Sequence, residues 1–257
     1  MENPICSVVI PAFRAEKTVA QTLDSLLTQT VQNWEALVII DGLYPDDATP
    51  HIARRYADRD PRFKILVNSC NQGVAHARNR GVAQAAAPWI AFLDSDDLFR
   101  PRKLEKQLTL AQRTNSPFLC CSYNAVDRNG TTLRLTKTPE HITRAALVYR
   151  NIIGCSTVLL RRELALKYPM RDHVIHEDYL CWLECLQDCD CFACTEPLVD
   201  IQVLPGSRNS SKWRSAKGVW SIYRDYLHFG IFKSSLLMAL YALKGSCGYL
   251  KKGSDIQ

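Results

Sequence analysis

Three carboxylates crowd into the segment Asp94-Ser95-Asp96-Asp97, which directly follows an apolar run. These like charges repel one another, and a cation among them would relieve the repulsion. Carboxylate oxygens are hard ligands that suit Mg²⁺ or Mn²⁺, and such an ion can bridge to a diphosphate and neutralise it as it leaves. The alternative is a solvated acidic turn that caps a helix beginning near Arg100. The polar loops described next favour the metal.

Three other apolar runs in the first hundred residues are each followed by polar or aromatic residues. These are Pro11-Ala12-Phe13-Arg14, Asp41-Gly42 and Asn71-Gln72-Gly73. Ligands of open α/β sheets bind outside the carboxyl ends of the strands, so we expect these loops to converge with the acidic segment. The Asp41 carboxylate can accept a hydrogen bond from a nucleobase N–H or a ribose hydroxyl. The alternative for Asp41 is an ordinary turn residue before glycine.

Two arginines follow Gly73 within the next predicted helix. Arginine there can pair with phosphate oxygens, or it can belong to a solvated helix face. Residues two positions apart do not share a helix face, so Arg78 and Arg80 cannot both point into one site. We favour Arg78.

A further pair of acids, Glu177 and Asp178, begins a helix predicted over 177–187. The positive end of a helix keeps carboxylates ionised, and an ionised carboxylate can serve as a general base. The alternative is that both are ordinary acids of a first helical turn.

Strand-like and helix-like segments alternate before residue 100. The predicted strands cover 5–10, 36–40, 63–67 and 88–93, and the predicted helices cover 16–29, 46–57 and 73–87. This order predicts a parallel sheet with helices on both faces. Beyond it, Asn129-Gly130 predicts a hairpin between 118–126 and 131–137. A further strand is predicted over 155–160, and an extended segment over 191–203.

Composition excludes several classes of protein. Of 257 residues, 47% are hydrophobic and 23% charged, which is typical of a globular chain and not of a disordered or collagen-like one. The sequence lacks the glycine motifs of dinucleotide-binding and P-loop enzymes and the serine elbow of hydrolases. The eleven cysteines, with no signal peptide expected from Met1-Glu2-Asn3-Pro4, predict reduced core thiols in a cytoplasmic protein.

The positive charge is confined to the end of the chain. Eight basic and two acidic residues between 212 and 257 account for all of the formal net charge of +6. Trp220, Tyr223, Leu227 and Ile231 are spaced as an amphipathic helical stripe. The stripe predicts either a helix lying on an anionic bilayer or a helix docked on the rest of the protein. The neutral remainder and the lack of a matching motif predict no binding of nucleic acid.

Several segments, taken together, resemble glycosyltransferase family 2 in order and spacing. They are residues 7–13, 39–42, 71–79, 92–97 and 177–178, and the resemblance extends over about residues 5 to 205. It implies the GT-A fold, an α/β architecture with a Rossmann-like, mostly parallel central sheet flanked by helices. It also implies inverting, metal-dependent transfer of a sugar from a nucleotide diphosphate donor, with UDP-sugars favoured. The acceptor would be a hydroxyl of a saccharide or a lipid-linked molecule, in the synthesis of cell-surface polysaccharide or lipopolysaccharide.

The resemblance also implies roles for particular residues. Pro11, Phe13 and Asp41 would hold the base and nucleoside, Arg78 would contact the nucleotide, and Asp96 would touch the ribose. Asp97 would bind Mn²⁺ or Mg²⁺, and Asp178 would deprotonate the acceptor hydroxyl. Gly154, Cys155, Ser156 and Glu177 would line the acceptor side, and Arg208 would clamp a phosphate.

The implied organisation is a catalytic domain over 1–211, with a nucleotide-binding half (1–99) and an acceptor-binding half (100–211). Residues 212–257 lie outside the family pattern, and we expect them to form an amphipathic helical basic tail that could bring the enzyme to the inner face of the cell membrane. Ile40, Leu43 and Arg14 depart from the family pattern in the nucleoside pocket, so the resemblance does not determine which nucleobase the donor carries. The alternatives are a sugar nucleotidyltransferase and an inactive carbohydrate- or membrane-binding module of the same fold.

Overall fold

The first half of the chain forms a parallel sheet. A computed structural model describes residues 3–203 and 212–250. Its first four strands are β1 (Cys6–Ala12), β2 (Trp34–Asp41), β3 (Phe63–Asn68) and β4 (Trp89–Phe92). They lie in the order β3-β2-β1-β4, and every neighbouring pair is parallel. The parallel arrangement predicted from the alternating segments is therefore confirmed.

Helices cover both faces of this sheet. They are α1 (Val19–Leu27), α2 (Thr49–Ala57) and α3 (Val74–Gln84). One face of the sheet packs against α1 and α2, and the other packs against α3. The α3 helix approaches closely because Gly81 has no side chain: a Cβ there would lie 2.9 Å from Ile39 Cδ1.

The second half extends the sheet with mixed strand directions. Its elements are β5 (Leu98–Phe99), α4 (Lys103–Thr114), β6 (Phe118–Val126), β7 (Thr132–Thr136), β8 (His141–Ile142), α5 (Arg144–Tyr149), β9 (Leu159–Arg161), α6 (Arg162–Lys167), α7 (Glu177–Cys185) and β10 (Cys191–Gln202). Strand β9 lies antiparallel between β4 and β6, whereas β10 runs parallel to β6. The predicted hairpin is confirmed, since β6 pairs with β7 across a turn in which Gly130 has φ +80°.

The strand predicted over 155–160 is wrong in its first half. Cys155–Thr157 forms a 3₁₀ turn, and only Leu159–Arg161 is a strand. The Thr157 hydroxyl donates to the carbonyl of Gly154 at 2.7 Å, and its N–H donates to the same carbonyl at 3.0 Å. Such local bonds compete with strand pairing, and here they produce a turn where the first part of the strand was predicted.

Residues 212–250 of the predicted tail contain helices, but the predicted stripe does not lie on one helix. Helix α8 (Lys212–Ser221) continues into a π-helical turn (Ile222–Tyr226), and α9 (Ile231–Leu250) follows a break at His228, where φ is +52°. Tyr223 is fully buried and donates its hydroxyl to the Val148 carbonyl at 2.6 Å. This part of the tail is therefore docked. Within the described part of the chain, no helix combines the length and apolar character needed to span a bilayer.

Candidate functional site

A cavity of about 560 Å³ opens where the parallel strands end. Six of the predicted site residues line it: Arg78, Asp97, Gly154, Cys155, Glu177 and Asp178. Five others lie outside its lining: Pro11, Phe13, Asp41, Asp96 and Ser156. Arg208 falls outside the described residues. The structure thus brings together residues from both halves of the predicted catalytic domain, separated by up to a hundred positions.

The acidic segment 94–97 is held in place by the second half of the chain. Asp97 is 4% exposed, and its carboxylate accepts hydrogen bonds from the Ser156 hydroxyl at 2.6 Å and the Gln202 N–H at 3.1 Å. The Ser156 hydroxyl also accepts from the Asp94 N–H at 3.1 Å. The segment does not cap the next helix, since α4 begins only at Lys103, after β5.

Burial and mutual repulsion favour neutralisation of the negative charge on the carboxylates of this acidic turn. Burial raises the pKa of Asp97 well above its usual range, and the charges of Asp94 and Asp96 raise it further, against the lowering effect of the Ser156 hydrogen bond. A protonated carboxyl or a bound cation would relieve this crowding.

Whether the turn suits a divalent metal depends on the ligands it offers. No group of three or more His, Cys, Asp or Glu side chains within residues 3–203 and 212–250 is arranged to hold a metal ion. Asp94 and Asp97 nevertheless both line the cavity, and carboxylates are the oxygen ligands that Mg²⁺ and Mn²⁺ prefer. The residues therefore fit an ion that takes its other oxygen ligands from a bound diphosphate.

Arg78 joins the two halves of the site. Its side chain is 2% exposed, and its guanidinium contacts Asp94 at 2.6 Å through Nη2 and Glu177 at 3.0 Å through Nη1. Arg80 instead donates to the Asn68 side chain and does not line the cavity. The two arginines thus point in different directions, with Arg78 in the site, where it neutralises carboxylates from both halves.

Asp178 stands at the cavity in the first turn of α7. Burial raises its pKa, and the neighbouring charge of Glu177 raises it further, against the lowering effect of Arg78. The Asp178 carboxylate accepts one hydrogen bond from the Tyr179 N–H at 2.8 Å. A higher pKa makes the ionised carboxylate a stronger base, and the position on the cavity wall lets it meet a bound molecule.

Asp41 organises the loop that leads into α3. Its Oδ1 accepts from the Asn68 side chain at 2.7 Å and the Gln72 N–H at 3.0 Å, and its Oδ2 accepts from the Gly73 N–H at 2.9 Å. A carboxylate has about four lone-pair positions. Three of these positions on Asp41 are used by the hydrogen bonds above, so one remains that can accept a hydrogen bond from a ligand, although the side chain is largely buried.

An aromatic rim lies at the end of β1. Phe13 is 43% exposed and packs edge-to-face on Tyr44, with ring centroids 5.6 Å apart. The guanidinium of Arg14 lies 5.3 Å from the centre of the Tyr44 ring. Exposed aromatic and guanidinium faces can stack on a planar base. Sequence reasoning missed Tyr44, because a lone aromatic in a loop carries no periodic signal.

The tail also contributes to the cavity wall, which the sequence did not predict. Arg214 of α8 lines the cavity, and the His176 ring bonds to the Ser215 hydroxyl at 2.9 Å. Gly218 lies against the same loop: a Cβ there would lie 2.6 Å from Ile175 Cγ2. Helix α8 therefore fixes the loop that precedes Glu177 and Asp178.

We expect Gly218→Ala to destabilise the protein by about 1–3 kcal/mol, the usual cost of forcing a methyl group into a packed contact. Gly230→Ala is the matched control, since nothing lies within 4 Å of a Cβ at that position. Urea denaturation of both variants measures the difference. Equal free energies of unfolding would contradict close packing of α8 on the loop.

Comparison with known sequences supports the family resemblance. The model of the family described as "Glycosyl transferase family 2" matches residues 7–169. The Escherichia coli protein WfgD, named as a UDP-Glc:alpha-D-GlcNAc-diphosphoundecaprenol beta-1,3-glucosyltransferase, is 32% identical over 230 residues. The match covers 88% of each chain.

Solved structures show the same fold. Residues 1–349 of Staphylococcus aureus TarS, in complex with UDP-GlcNAc, align with a TM-score of 0.72 at 19% identity, over 92% of this chain and 71% of that one. The mannosyltransferase PcManGT from Pyrobaculum calidifontis, in complex with GDP-Man and Mn²⁺, aligns with a TM-score of 0.68 at 18% identity, over 99% and 77%. In a longer TarS chain, the match spans 42% of the length.

Proposed function

The chain belongs to glycosyltransferase family 2 and has the GT-A fold, and we propose that it transfers a sugar from a UDP-sugar to a lipid-linked saccharide with inversion. The observation that carries this proposal is the cavity in which the acidic turn, Arg78 and Asp178 meet. Membership of a glycosyltransferase family argues against the sugar nucleotidyltransferase alternative. An inactive binding module would retain the same residues, so only a transfer assay separates it from an enzyme.

The donor's nucleoside is proposed to lie along the ends of β1 and β2. The Phe13–Tyr44 rim offers a surface for the base, and Asp41 has one acceptor position left on its carboxylate. The choice of uridine is supported by the UDP-Glc in the name of WfgD and by the UDP-GlcNAc bound in TarS. Asp96 is proposed to contact the ribose.

The diphosphate is proposed to reach the acidic turn. A divalent ion held by Asp97 and its neighbours would supply positive charge to the leaving diphosphate. The Mn²⁺ complex of PcManGT supports a metal in this fold. Ser156 and Gln202 hold the Asp97 carboxylate in a fixed orientation. Arg78, neutralised by Asp94 and Glu177, is proposed to balance the charge of these acids and so to stabilise the donor site.

The acceptor hydroxyl is proposed to approach Asp178. Inversion requires one in-line displacement: the hydroxyl oxygen bonds to the sugar carbon as the bond to the diphosphate breaks. A single carboxylate that accepts the hydroxyl proton is sufficient for this step. Gly154, Cys155 and the loop before Glu177 form the adjacent wall. Ser156 was expected on this side, but its hydroxyl instead holds the acidic turn.

A transfer assay with a panel of UDP-sugars and a synthetic GlcNAc-diphosphate lipid tests the proposal. We expect one donor to give a disaccharide-lipid whose new anomeric configuration is opposite to that of the donor, as read by NMR coupling constants. A product with retained configuration would contradict the single-displacement mechanism. Absence of transfer from every donor, despite nucleotide binding, would favour the inactive module.

A further inference from the structure

Helix α9 has one face docked on the protein. Ser234 and Leu237 are buried, and the partly buried Met238 and Tyr241 pack against the hydrophobic core. These positions follow helical spacing, so they form a single stripe. The docked stripe fixes the direction in which the remaining residues of α9 point.

The opposite side of α9 carries apolar side chains that contact little else. Phe232 is 90% exposed and Leu236 is 63% exposed. Phe232 and Leu236 are four residues apart and therefore adjacent on the helix surface. We call Phe232 and Leu236 the outer face of α9. A cluster of large exposed apolar side chains on one helix marks an interaction surface.

The stretch of sequence that contains the outer face carries lysines and no acidic residue. Residues 226–254 contain no Asp or Glu, whereas they contain Lys233, Lys244, Lys251 and Lys252. Lys233 lies directly beside the outer face in sequence, and its Nζ lies 3.8 Å from the centre of the Phe229 ring. An exposed apolar pair next to Lys233, in a stretch of sequence that contains lysines and no acidic residue, complements an anionic bilayer. A second copy would bring lysines against lysines, so this occupant is disfavoured.

We propose that the outer face of α9 inserts into the interface of a bilayer that contains anionic lipids. The surface differs from the stripe predicted from the sequence, because Tyr223 of that stripe is buried. Helix α9 packs against α8, and α8 supplies Arg214 to the cavity wall. The inference deepens the proposed function and rests on it for the lipid-linked acceptor, which such an arrangement would deliver to the cavity from the bilayer.

Vesicle flotation of the full chain tests this inference. We expect the wild type to float with phosphatidylcholine vesicles that contain phosphatidylglycerol. It should bind vesicles of pure phosphatidylcholine more weakly, and its binding to the anionic vesicles should weaken at high salt. Phe232→Asp and Leu236→Asp should each weaken binding by about tenfold or more, since each replaces an apolar side chain that would insert into the bilayer with a charge that anionic lipids repel. Leu166→Asp is the matched control: Leu166 is a helical leucine of α6 that is 45% exposed, and this variant should float like the wild type.

Several outcomes would overturn the inference. Wild-type protein that does not float, or Leu236→Asp protein that floats unchanged, would contradict it directly. A wild-type dimer in light scattering that Leu236→Asp converts to monomer would assign the face to a second copy. Circular dichroism and calorimetric nucleotide binding confirm that the variants are folded. Flotation needs no donor or acceptor, so a failed transfer assay with normal flotation would count against the proposed function alone.

Discussion

Replacing Asp178 by asparagine should slow glycosyl transfer by about 10²–10⁴-fold, the usual contribution of a general base. The amide has the same shape but cannot take the acceptor proton. Donor binding should stay unchanged, because the proposed donor contacts lie on other elements. Steady-state transfer rates and calorimetric nucleotide binding measure the two effects separately. The matched control is Asp188→Asn, since Asp188 pairs with Lys167 on the exposed surface and does not line the cavity.

The pH dependence gives a second readout of the same role. Burial and Glu177 raise the pKa of Asp178, and only the ionised form accepts a proton. Transfer by the wild type should therefore fall as the pH decreases through this raised pKa. The residual activity of Asp178→Asn should lack that acidic limb. Near-normal transfer by the variant, or an unchanged acidic limb, would eliminate Asp178 as the base.

Replacing Asp97 by alanine should abolish the metal dependence of donor binding. The change removes a carboxylate proposed to bind the ion and also leaves the Ser156 hydroxyl and the Gln202 N–H without their acceptor. The fold should persist, and circular dichroism checks it. Nucleotide titrations with and without Mn²⁺ should give the same weak affinity for this variant.

Two further variants separate the charge of Asp97 from its structural contacts. Asp97→Asn keeps an acceptor for the Gln202 N–H but removes the charge, so it should also lose metal dependence. Ser156→Ala removes a hydrogen bond to Asp97 but keeps all three carboxylates, so it should retain metal dependence with weaker binding. If Asp97→Asn binds donor and metal normally while Asp96→Ala does not, Asp97 is not the metal ligand.

The parallel half of the fold could be predicted because its signals are local. Each buried strand is a short apolar run, and polar residues such as Asp41 and Asp94 follow directly at the strand ends. Strand order then brings those ends to one edge of the sheet. Helical spacing also predicted that Arg78 and Arg80 do not both point into the site, and the family resemblance singled out Arg78.

Contacts between distant segments could not be predicted. Nothing in the sequence indicates that Arg78 pairs with Glu177, ninety-nine positions away, or that Ser156 holds the acidic turn instead of facing an acceptor. The tail shows the same limitation. Its spacing predicts a continuous stripe, but the positive φ of His228 ends that helix, and the burial of Tyr223 depends on a carbonyl of α5.

The most direct test of the account is calorimetric titration of the protein with UDP, GDP, dTDP and CMP, each with and without Mn²⁺. We expect tight binding of one nucleoside diphosphate, UDP, and only in the presence of the metal. That result, together with the loss of metal dependence in Asp97→Ala, would place a metal-dependent donor site in the cavity beside Asp97. Binding of none of the nucleotides would contradict the account, and it would mean that Arg14, Ile40 and Leu43 have disabled the nucleoside pocket.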